Sequence, residues 1–288
     1  MRNETRYTME QLNKEDIAGL VNLSASVGWD YDEQEIKTIL SAGTVYGHKN
    51  EGGVVISSAA IIPYESELAS IGMVIVHENY RGYRLGKELT TACIQSVPSD
   101  TTIMLIATAD GQPLYEKLGF HPVSTVHKFI CSHMSPFDTA HDLNQYQIVP
   151  LTNQYFSHVL ELDRAAMGAD RTTLLKSRIQ QAKQGVVVLN HQGDVVGFGL
   201  GIEGPIHLVL GPIVAVHDEL AILMIDHLMK GYRGSVRIDV PYGKEAIFPS
   251  LEKRGFKKVN HPPVMIRNST TLPDRNDTLY GIAAQIFG

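Results

Sequence analysis

The segment from Val74 to Leu89, which reads VIVHENYRGYRLGKEL, decides the interpretation of the whole chain. An apolar run gives way at His77 to a polar turn that contains Arg81 and two glycines, and a helical pattern follows. A helix that begins directly after a strand presents backbone N–H groups without partners, and its dipole attracts an anion. The glycines allow the backbone to approach that anion closely. The segment therefore predicts a binding site for a phosphate-bearing cofactor.

Composition limits the class of protein. The 288 residues are enough for one large or two ordinary domains, and 43% apolar with 19% charged residues is typical of a soluble globular protein. A net charge of −6 without a basic stripe argues against a nucleic-acid partner. We find no apolar signal segment, no run long enough to cross a membrane, and no metal or disulfide spacing at Cys93 and Cys131. We therefore expect a cytoplasmic protein without metal.

Apolar periodicity and turn residues predict an ordered series of elements in the first half. Asn13 and Asp32 are candidate caps of two helices, and Gly43 ends the second. Apolar residues recur every four positions from residue 85 to 97, which predicts a third helix with Cys93 on its buried face. A short helix is predicted at 114–118, and strands are predicted at 44–48, 54–62, 70–76, 102–107 and 126–131.

The second half repeats this order of elements. Helices are predicted at 155–163, 171–182, 219–229 and 245–253, and strands at 186–189, 195–201, 207–214 and 236–240. One local match supports the repeat, since EKLGFHPV at 116–123 aligns with EKRGFKKV at 252–259. Residues 132–147 lack periodicity and are interpreted as a linker. We therefore predict two similarly folded α/β domains, at 1–135 and 145–288.

Two motifs of the first half resemble those of the GNAT superfamily, the Gcn5-related N-acetyltransferases. RGYRLG at 81–86 is similar to the family's (Gln/Arg)-x-x-Gly-x-(Gly/Ala) cofactor motif, with Arg84 where glycine is usual. LYEKLGF at 114–120 resembles the run that follows the fifth strand in many members. The second half is similar to the GNAT-like domain of two-domain bacterial members, through residues 163–171, 210–215 and 239–241. The resemblance implies an α/β protein of tandem GNAT-like folds, each a mixed, mostly antiparallel sheet flanked by helices.

The resemblance also implies an acetyl-CoA site. The backbone of residues 74–76 would pair with the pantetheine arm as an added strand does, and the N–H groups of residues 82–87 would hold the pyrophosphate. Three cations near a helix start oppose its dipole, which is unfavourable unless an anion binds there. The predicted cofactor-binding residues are Val74, Ile75, Val76, Arg81, Gly82, Tyr83, Arg84, Leu85, Gly86 and Lys87.

Tyr115 matches the family's tyrosine that protonates the leaving thiolate, although an aromatic side chain packed on the sheet is the alternative. Trp29 and Asp30 fall in the region that forms the acceptor side in this family, while a core position for Trp29 is equally plausible. Ser70 occupies the position where some relatives carry a glutamate base. The general base stays open among His77, Glu78, Glu65, Glu67 and Asp110.

The corresponding turn of the second half, VAVHDEL at 214–220, has neither glycine nor arginine. Asp218 and Glu219 stand at the helix start, where we expect them to cap the helix and repel a pyrophosphate. Leu251 stands where the first half has Tyr115. The second half is therefore predicted to be a degenerate copy that completes the acceptor pocket or the domain interface.

The sequence as a whole predicts an acetyl-CoA-dependent N-acetyltransferase. Its acceptor would be a primary amine of a small molecule or an exposed protein amine, which attacks the thioester directly, and no nucleic acid or membrane would take part. One alternative is transfer of a longer acyl group or an aminoacyl group, although the intact CoA motif argues against aminoacyl transfer. The other is a catalytically silent CoA-binding sensor or scaffold.

Overall fold

The computed structural model describes residues 7–65, 67–133 and 145–288, which form a large mixed sheet flanked by helices. The strands are β1 (Met9–Leu12), β2 (Thr44–Lys49), β3 (Val55–Tyr64), β4 (Leu68–Val76), β5 (Thr102–Ile106), β6 (His121–Cys131), β7 (Tyr146–Pro150), β8 (Gln184–Asn190), β9 (Val195–Glu203), β10 (His207–Ala215), β11 (Ser235–Pro241), β12 (Lys257–Asn260), β13 (Pro263–Arg267) and β14 (Leu279–Gly281). The helices are α1 (Ile17–Ser26), α2 (Glu33–Ala42), α3 (Leu85–Gln95), α4 (Gln112–Lys117), α5 (Phe156–Met167), α6 (Thr172–Gln181), α7 (Asp218–Met229) and α8 (Phe248–Lys253). The predicted fold class is confirmed.

The strand order places the two halves side by side in one sheet. It runs β1-β2-β3-β4-β5-β13-β6-β11-β10-β9-β8-β7, with β12 paired to β6 and β14 to β10. Among the described strands, β4 pairs with β5 and β10 with β11 in parallel, and the other pairs are antiparallel. Parallel neighbours need a crossover connection, which α3 supplies in the first half and α7 in the second. Each half therefore contains the same crossover unit.

The halves exchange strands. β13, from the second half, lies between β5 and β6, where Val264 is opposite both Ile106 and Ser124. In return, β6 extends beyond that pairing, and its residues 126–131 pair with β11 of the second half. The predicted domain bounds, 1–135 and 145–288, stay a prediction. Strands from each of these two ranges pair with strands from the other.

The last residues of the chain pack against the first half. The Tyr64 hydroxyl donates to the Phe287 carbonyl at 2.7 Å, and the Ser70 hydroxyl donates to the Ile286 carbonyl at 2.7 Å. Both bonds are buried, and a buried polar group that loses its partner costs about 1–3 kcal/mol. The segment at 282–288 is therefore fixed to the sheet from which the first half builds its site.

The predicted helix starts and the predicted α3 face are confirmed. Asn13 accepts a backbone N–H of the 3-10 turn that leads into α1, and Asp32 accepts one from the first turn of α2. Leu85, Leu89 and Cys93 form the buried face of α3. Burial raises the pKa of the Cys93 thiol to about 12, as expected of an inert core cysteine.

The structure contains strands that the sequence patterns do not predict: β1, β7, β12, β13 and β14. β7 includes residues 146–147, so the linker interpretation is wrong at its end, while residues 134–144 lie outside the described part of the chain. β6 begins at His121, earlier than predicted. These strands are short or irregular in pattern, and β13 is held from both edges by strands that are distant in sequence.

Candidate active site

A cleft opens in the sheet of the first half where β4 and β5 separate. The two strands pair as far as Ile71 and Leu105, after which residues 72–76 of β4 pair only with β3. β5 continues to pair with β13 on its other side. The cleft edge of β4 is therefore open to an extended ligand that can pair as a strand does. The residues predicted to hold the pantetheine arm lie on this edge: Val74, Ile75 and Val76.

The turn after β4 has the backbone conformation that glycine favours. A 3-10 turn at Glu78–Tyr80 follows the strand, and Arg84 is the N-cap of α3. Gly82 has φ of 88° and Arg84 has φ of 64°, so both residues are left-handed. A residue other than glycine costs roughly 1–2 kcal/mol in this region. The glycine usual in the family at position 84 would avoid that cost, so Arg84 is a strained substitution within the same turn.

The start of α3 forms a cradle for an anion. Within the part of the chain that the structure describes, no carbonyl or side chain accepts from the N–H groups of residues 82–87. A Cβ added to Gly82 would meet no atom within 4 Å, so the space beside the turn is open there, while one added to Gly86 would make ordinary contact with Val76 at 3.5 Å. Arg81, Arg84 and Lys87 are exposed and pair with no described carboxylate. Unpaired N–H groups together with three cations fit a pyrophosphate.

The two apolar side chains of the predicted turn differ in their environment. Leu85 is 4% exposed and anchors α3 to the core, so only its backbone faces the cradle. Tyr83 is 55% exposed, and its ring meets that of Tyr7 edge-on, with 6.0 Å between the centroids. The Tyr83 side chain is therefore accessible to a ligand bound at this turn.

Tyr115 lies in α4, in the buried cluster that packs beneath α3 together with Leu89 and Cys93. Its ring meets Phe120 edge-on, with 6.1 Å between the centroids. The hydroxyl has no hydrogen-bond partner among the described residues. Burial raises the pKa of Tyr115 to about 12, so the hydroxyl is protonated at neutral pH. The ring therefore packs on the sheet, while the hydroxyl keeps a proton to donate.

A cavity of about 260 Å³ lies between the two halves. Gly72 and Met73, at the start of the open edge of β4, form part of its wall, and so do Trp29 and Asp30 from the loop between α1 and α2. Trp29 is half-buried and packs edge-on against Tyr31. The structure thus brings both predicted acceptor residues to the end of the cleft. Further polar residues that line the cavity were not predicted: Glu35, Lys128, Arg178, Gln181, Arg237 and Gln285.

A buried ion pair between the halves builds one wall of this cavity. Arg178 of α6 donates to a carboxylate oxygen of Glu35 in α2 at 2.5 Å and to the Ala283 carbonyl at 2.7 Å. Gln181 donates to the same Glu35 oxygen at 2.9 Å. Removal of one partner of a buried ion pair typically costs about 3–5 kcal/mol. No local motif indicates this network, because its members lie in helices that are distant in sequence.

The candidate bases named from the sequence are not brought to the cavity. None of them is among its lining residues: His77, Glu78, Glu65, Glu67 and Asp110. Ser70 is buried and donates to a backbone carbonyl. Of the carboxylates that do line the cavity, Glu35 is paired with Arg178, and Asp32 caps α2. Asp30 bonds to no described residue and is therefore the carboxylate available to a ligand.

The equivalent cleft of the second half is filled by the chain itself. β10 and β11 pair as far as Leu210 and Ile238. β14 then pairs with β10 at residues 213–214, and the Ile282 N–H donates to a carbonyl of β11 at 3.0 Å. A Cβ added to Gly211 would lie 2.0 Å from the Ile282 carbonyl oxygen, so the inserted segment lies directly against the strand. The second half therefore has no open strand edge at this position.

The helix that follows this filled cleft is capped by protein groups. The Leu220 N–H donates to the ring of His217, which is the N-cap of α7, so the expectation that the acids cap this helix is wrong. The Asp218 carboxylate instead accepts a hydrogen bond from the hydroxyl of Tyr280 in β14, with 2.6 Å between the two oxygens, and Glu219 contacts His217. The acids still occupy the first turn, where they disfavour a second anion.

Neither a membrane-spanning helix nor a metal cluster occurs among residues 7–65, 67–133 and 145–288. No helix there is both long enough and apolar enough to cross a membrane. No group of three or more histidine, cysteine, aspartate or glutamate side chains in the same regions could hold a metal ion.

Comparison with known proteins gives consistent findings for both halves. Family models described as acetyltransferase (GNAT) domains match residues 30–133 and 159–281. An uncharacterised N-acetyltransferase of Bacillus subtilis, YitH, is 34% identical over 279 residues, which cover 96% of this chain and 97% of that protein. A putative acetyltransferase from Pyrococcus horikoshii has a similar structure, with a TM-score of 0.79 at 18% identity over 99% of this chain and 96% of that one. A tandem GNAT protein from the clavulanic acid biosynthesis pathway has a TM-score of 0.66 at 14% identity, over 92% of this chain and all of that one.

Proposed function

The chain belongs to the GNAT family of acetyltransferases and is an acyltransferase, and from this premise we propose that its first half transfers an acetyl group from acetyl-CoA to a primary amine. One observation carries the proposal. The unpaired N–H groups of residues 82–87 lie beside an open edge of β4, whereas β14 fills the equivalent cleft of the second half. We therefore propose one acetyl-CoA site per chain.

The proposed cofactor contacts follow from this geometry. The backbone of residues 74–76 pairs with the amides of the pantetheine arm, and the N–H groups of residues 82–87 donate to the pyrophosphate oxygens. Arg81, Arg84 and Lys87 add charge. Hydrogen bonds to a charged group contribute about 1.5–3 kcal/mol each, so a few of them suffice for tight binding.

In the proposed reaction an uncharged amine attacks the carbonyl carbon of the thioester. A carbon–nitrogen bond forms and the carbon–sulfur bond breaks, so the sulfur leaves with the electron pair of that bond. Tyr115 donates its hydroxyl proton to the leaving sulfur, and the proton that the nitrogen loses returns to Tyr115 through water. A tyrosine with a pKa of about 12 is suited to this role because it enters the step protonated.

The proposed acceptor site is the cavity between the halves. Trp29 offers an aromatic wall, and the unpaired carboxylate of Asp30 attracts an amine that arrives protonated. The second half contributes to the same cavity through Arg178 and Gln181, which gives the degenerate copy a role in acceptor binding. The proposal includes no nucleic-acid or membrane partner, and it places the enzyme in the cytoplasm, where buried thiols stay reduced.

Thiol release from acetyl-CoA, measured with a panel of small amines and lysine peptides, tests the proposal. Amine-dependent release of one thiol per acetylated product is the expected result. Acetyl-CoA that binds in calorimetry without turnover on any amine would overturn it in favour of the silent sensor. Faster release from longer acyl-CoA thioesters with the same amines would overturn the assignment of the acetyl group alone.

A further inference from the structure

The cavity between the halves contains charges that the protein does not neutralise. Its wall includes three acids and three bases: Asp30, Asp32, Glu35, Lys128, Arg178 and Arg237. The pair of Glu35 and Arg178 is complete, with 2.5 Å between its atoms. In contrast, the Lys128 ammonium has no carboxylate within 4.0 Å and no hydrogen-bond acceptor among the described residues. A half-buried ammonium without a partner requires an explanation.

Lys128 and Arg237 lie on adjacent strands and face the same side of the sheet. Lys128 of β6 is directly opposite Asp239 of β11, and Arg237 is two residues from Asp239 on the same strand. Side chains two residues apart on a strand share a face, and diagonal neighbours on paired strands lie about 7–8 Å apart. Both side chains are long enough for their charged ends to converge on one ligand group.

The charge of Arg237 is only partly used within the protein. Its Nε and Nη2 atoms donate to one oxygen of Asp239 at 2.8 Å and 2.7 Å, and Gln285 donates to the other oxygen at 2.9 Å. Nη1 donates to no described residue. Asp239 therefore neutralises one of the two cations, so this wall keeps one positive charge and unused donors from both Lys128 and Arg237.

The opposite charge lies on another part of the cavity wall. Asp30, in the loop between α1 and α2, lines the same cavity and is likewise unpaired among the described residues. Burial and the neighbouring charge of Arg237 lower the pKa of Lys128, against the raising effect of Asp239 and Asp30. A ligand with one charge of each sign would satisfy both walls. A neutral or purely cationic amine would leave Lys128 without a partner.

We propose that the acceptor carries an oxyanion group, a carboxylate or a phosphate, in addition to its amine, and that Lys128 and Arg237 bind this group. The inference rests on the proposed acetyl transfer and specifies its substrate class. A cavity of about 260 Å³ admits a small molecule of amino-acid size rather than a folded protein surface. Asp30 then attracts the ammonium end, which releases its proton to solvent water before the uncharged amine attacks.

Matched acceptor pairs test this proposal. The ω-amino acids from glycine to 6-aminohexanoate are each compared with the corresponding amide, and O-phosphoethanolamine is compared with ethanolamine, in thiol release with acetyl-CoA. We expect kcat/KM to be about 10- to 100-fold higher for the anionic member of at least one pair, which corresponds to about one hydrogen bond to a charged group. The pair with the larger preference distinguishes a carboxylate site from a phosphate site.

Variants at Lys128 assign the preference to this wall. Lys128→Met should raise KM for the anionic acceptor about 10- to 100-fold and leave the amide and the acetyl-CoA affinity unchanged, so that the pair becomes equivalent. Lys128→Arg should retain most of the preference because it retains the charge. Thermal unfolding of both variants shows whether they fold. The comparison of matched acceptors with the wild-type protein does not depend on either variant.

The outcomes separate the two proposals. Equal kcat/KM within every pair, with active transfer, would overturn the oxyanion site and leave acetyl transfer intact. A preference that is undiminished in Lys128→Met would overturn the assignment to this wall. The same pairs are also titrated in calorimetry against the protein bound to CoA. If no amine is acetylated, the proposed function fails, and the calorimetric preference still decides whether the wall binds an oxyanion.

Discussion

The two halves of the chain keep the same crossover unit and differ in what occupies its cleft. In the first half, β4 has an open edge beside α3, whose first N–H groups have no protein partner among the described residues. In the second half, β14 pairs with β10 in that place, and the ring of His217 caps α7. The chain of the second half thus supplies a pairing strand and a helix cap where the first half leaves both positions open.

This difference shows that the fold itself produces the cleft, whether or not a ligand binds there. Two parallel strands that separate leave backbone groups unpaired, and these groups need a partner whether or not the protein binds a ligand. A ligand that pairs as a strand and an inserted strand are alternative solutions. The second half uses the inserted strand, and Leu251, fully buried where the first half has Tyr115, offers no hydroxyl at that position.

Exchange of the residues at the second position of α3 and α7 gives the largest expected effect. Gly86→Glu places in the first half the type of residue that Glu219 provides in the second, and we expect acetyl-CoA binding to fall below detection in calorimetry. The added carboxylate fills the cradle and repels the pyrophosphate. The matched variant Glu219→Gly should leave the stoichiometry at one acetyl-CoA per chain, because β14 still fills that cleft. Unchanged affinity in Gly86→Glu would contradict the assignment of the site.

Removal of one hydroxyl from each half gives the next largest effect. Tyr115→Phe should lower kcat about 100-fold and leave acetyl-CoA affinity nearly unchanged, since a general acid contributes at least that factor. Tyr280→Phe is the control, because its hydroxyl bonds to the Asp218 carboxylate beside the filled cleft and its loss should affect only stability, by about 1.5–3 kcal/mol. Steady-state thiol release and thermal unfolding measure the two quantities. Equal turnover in wild type and Tyr115→Phe would exclude a required acid.

Addition of a methyl group in each cleft separates the open one from the filled one. Gly211→Ala directs a Cβ at the Ile282 carbonyl and should lower the free energy of unfolding by about 1–3 kcal/mol, as expected for overpacking. Gly86→Ala meets only ordinary contacts and should be neutral or slightly stabilising, while acetyl-CoA affinity decreases. Urea unfolding compares the two variants. A stable Gly211→Ala protein would mean that β14 is displaced at little cost.

The smallest effect concerns the left-handed residue of the turn. Arg84→Gly relieves a strain of about 1–2 kcal/mol and adds about 0.5–1 kcal/mol of chain entropy cost, so the free energy of unfolding should rise by up to about 1.5 kcal/mol. Loss of the cation should weaken acetyl-CoA binding a few-fold and reduce its salt dependence. Urea unfolding and calorimetry at two salt concentrations measure both. A destabilised variant would show that the arginine side chain makes contacts that outweigh the backbone strain.

The sequence predicts the parts of this molecule that local patterns determine. The apolar spacing of Leu85, Leu89 and Cys93 predicts the buried face of α3, and Asp32 predicts a helix start, because caps and amphipathic faces depend on a few adjacent residues. The turn at 81–86 likewise has a local signature. Its site assignment stays a prediction that the open N–H groups support.

The remaining features depend on contacts between distant segments. β13 has no strong alternating pattern and is a strand because β5 and β6 pair with it from both sides. Arg178 resembles any polar helical residue in sequence, and only the packing of α6 against α2 places it beside Glu35. The cavity could not be predicted for the same reason, since each half contributes only part of its wall.

The strand exchange has a consequence for the order in which the protein is made. β5 and β6 leave the ribosome well before β13, so the gap between them stays open while more than a hundred further residues are synthesised. The hydroxyls of Tyr64 and Ser70 stay without their acceptors for longer still, until the carbonyls of residues 287 and 286 have been synthesised. The half that carries the proposed site is therefore completed last. A chain that ends before residue 282 should therefore fold incompletely and be sensitive to proteases. This holds even though every residue of the proposed acetyl-CoA turn at 81–86 is present.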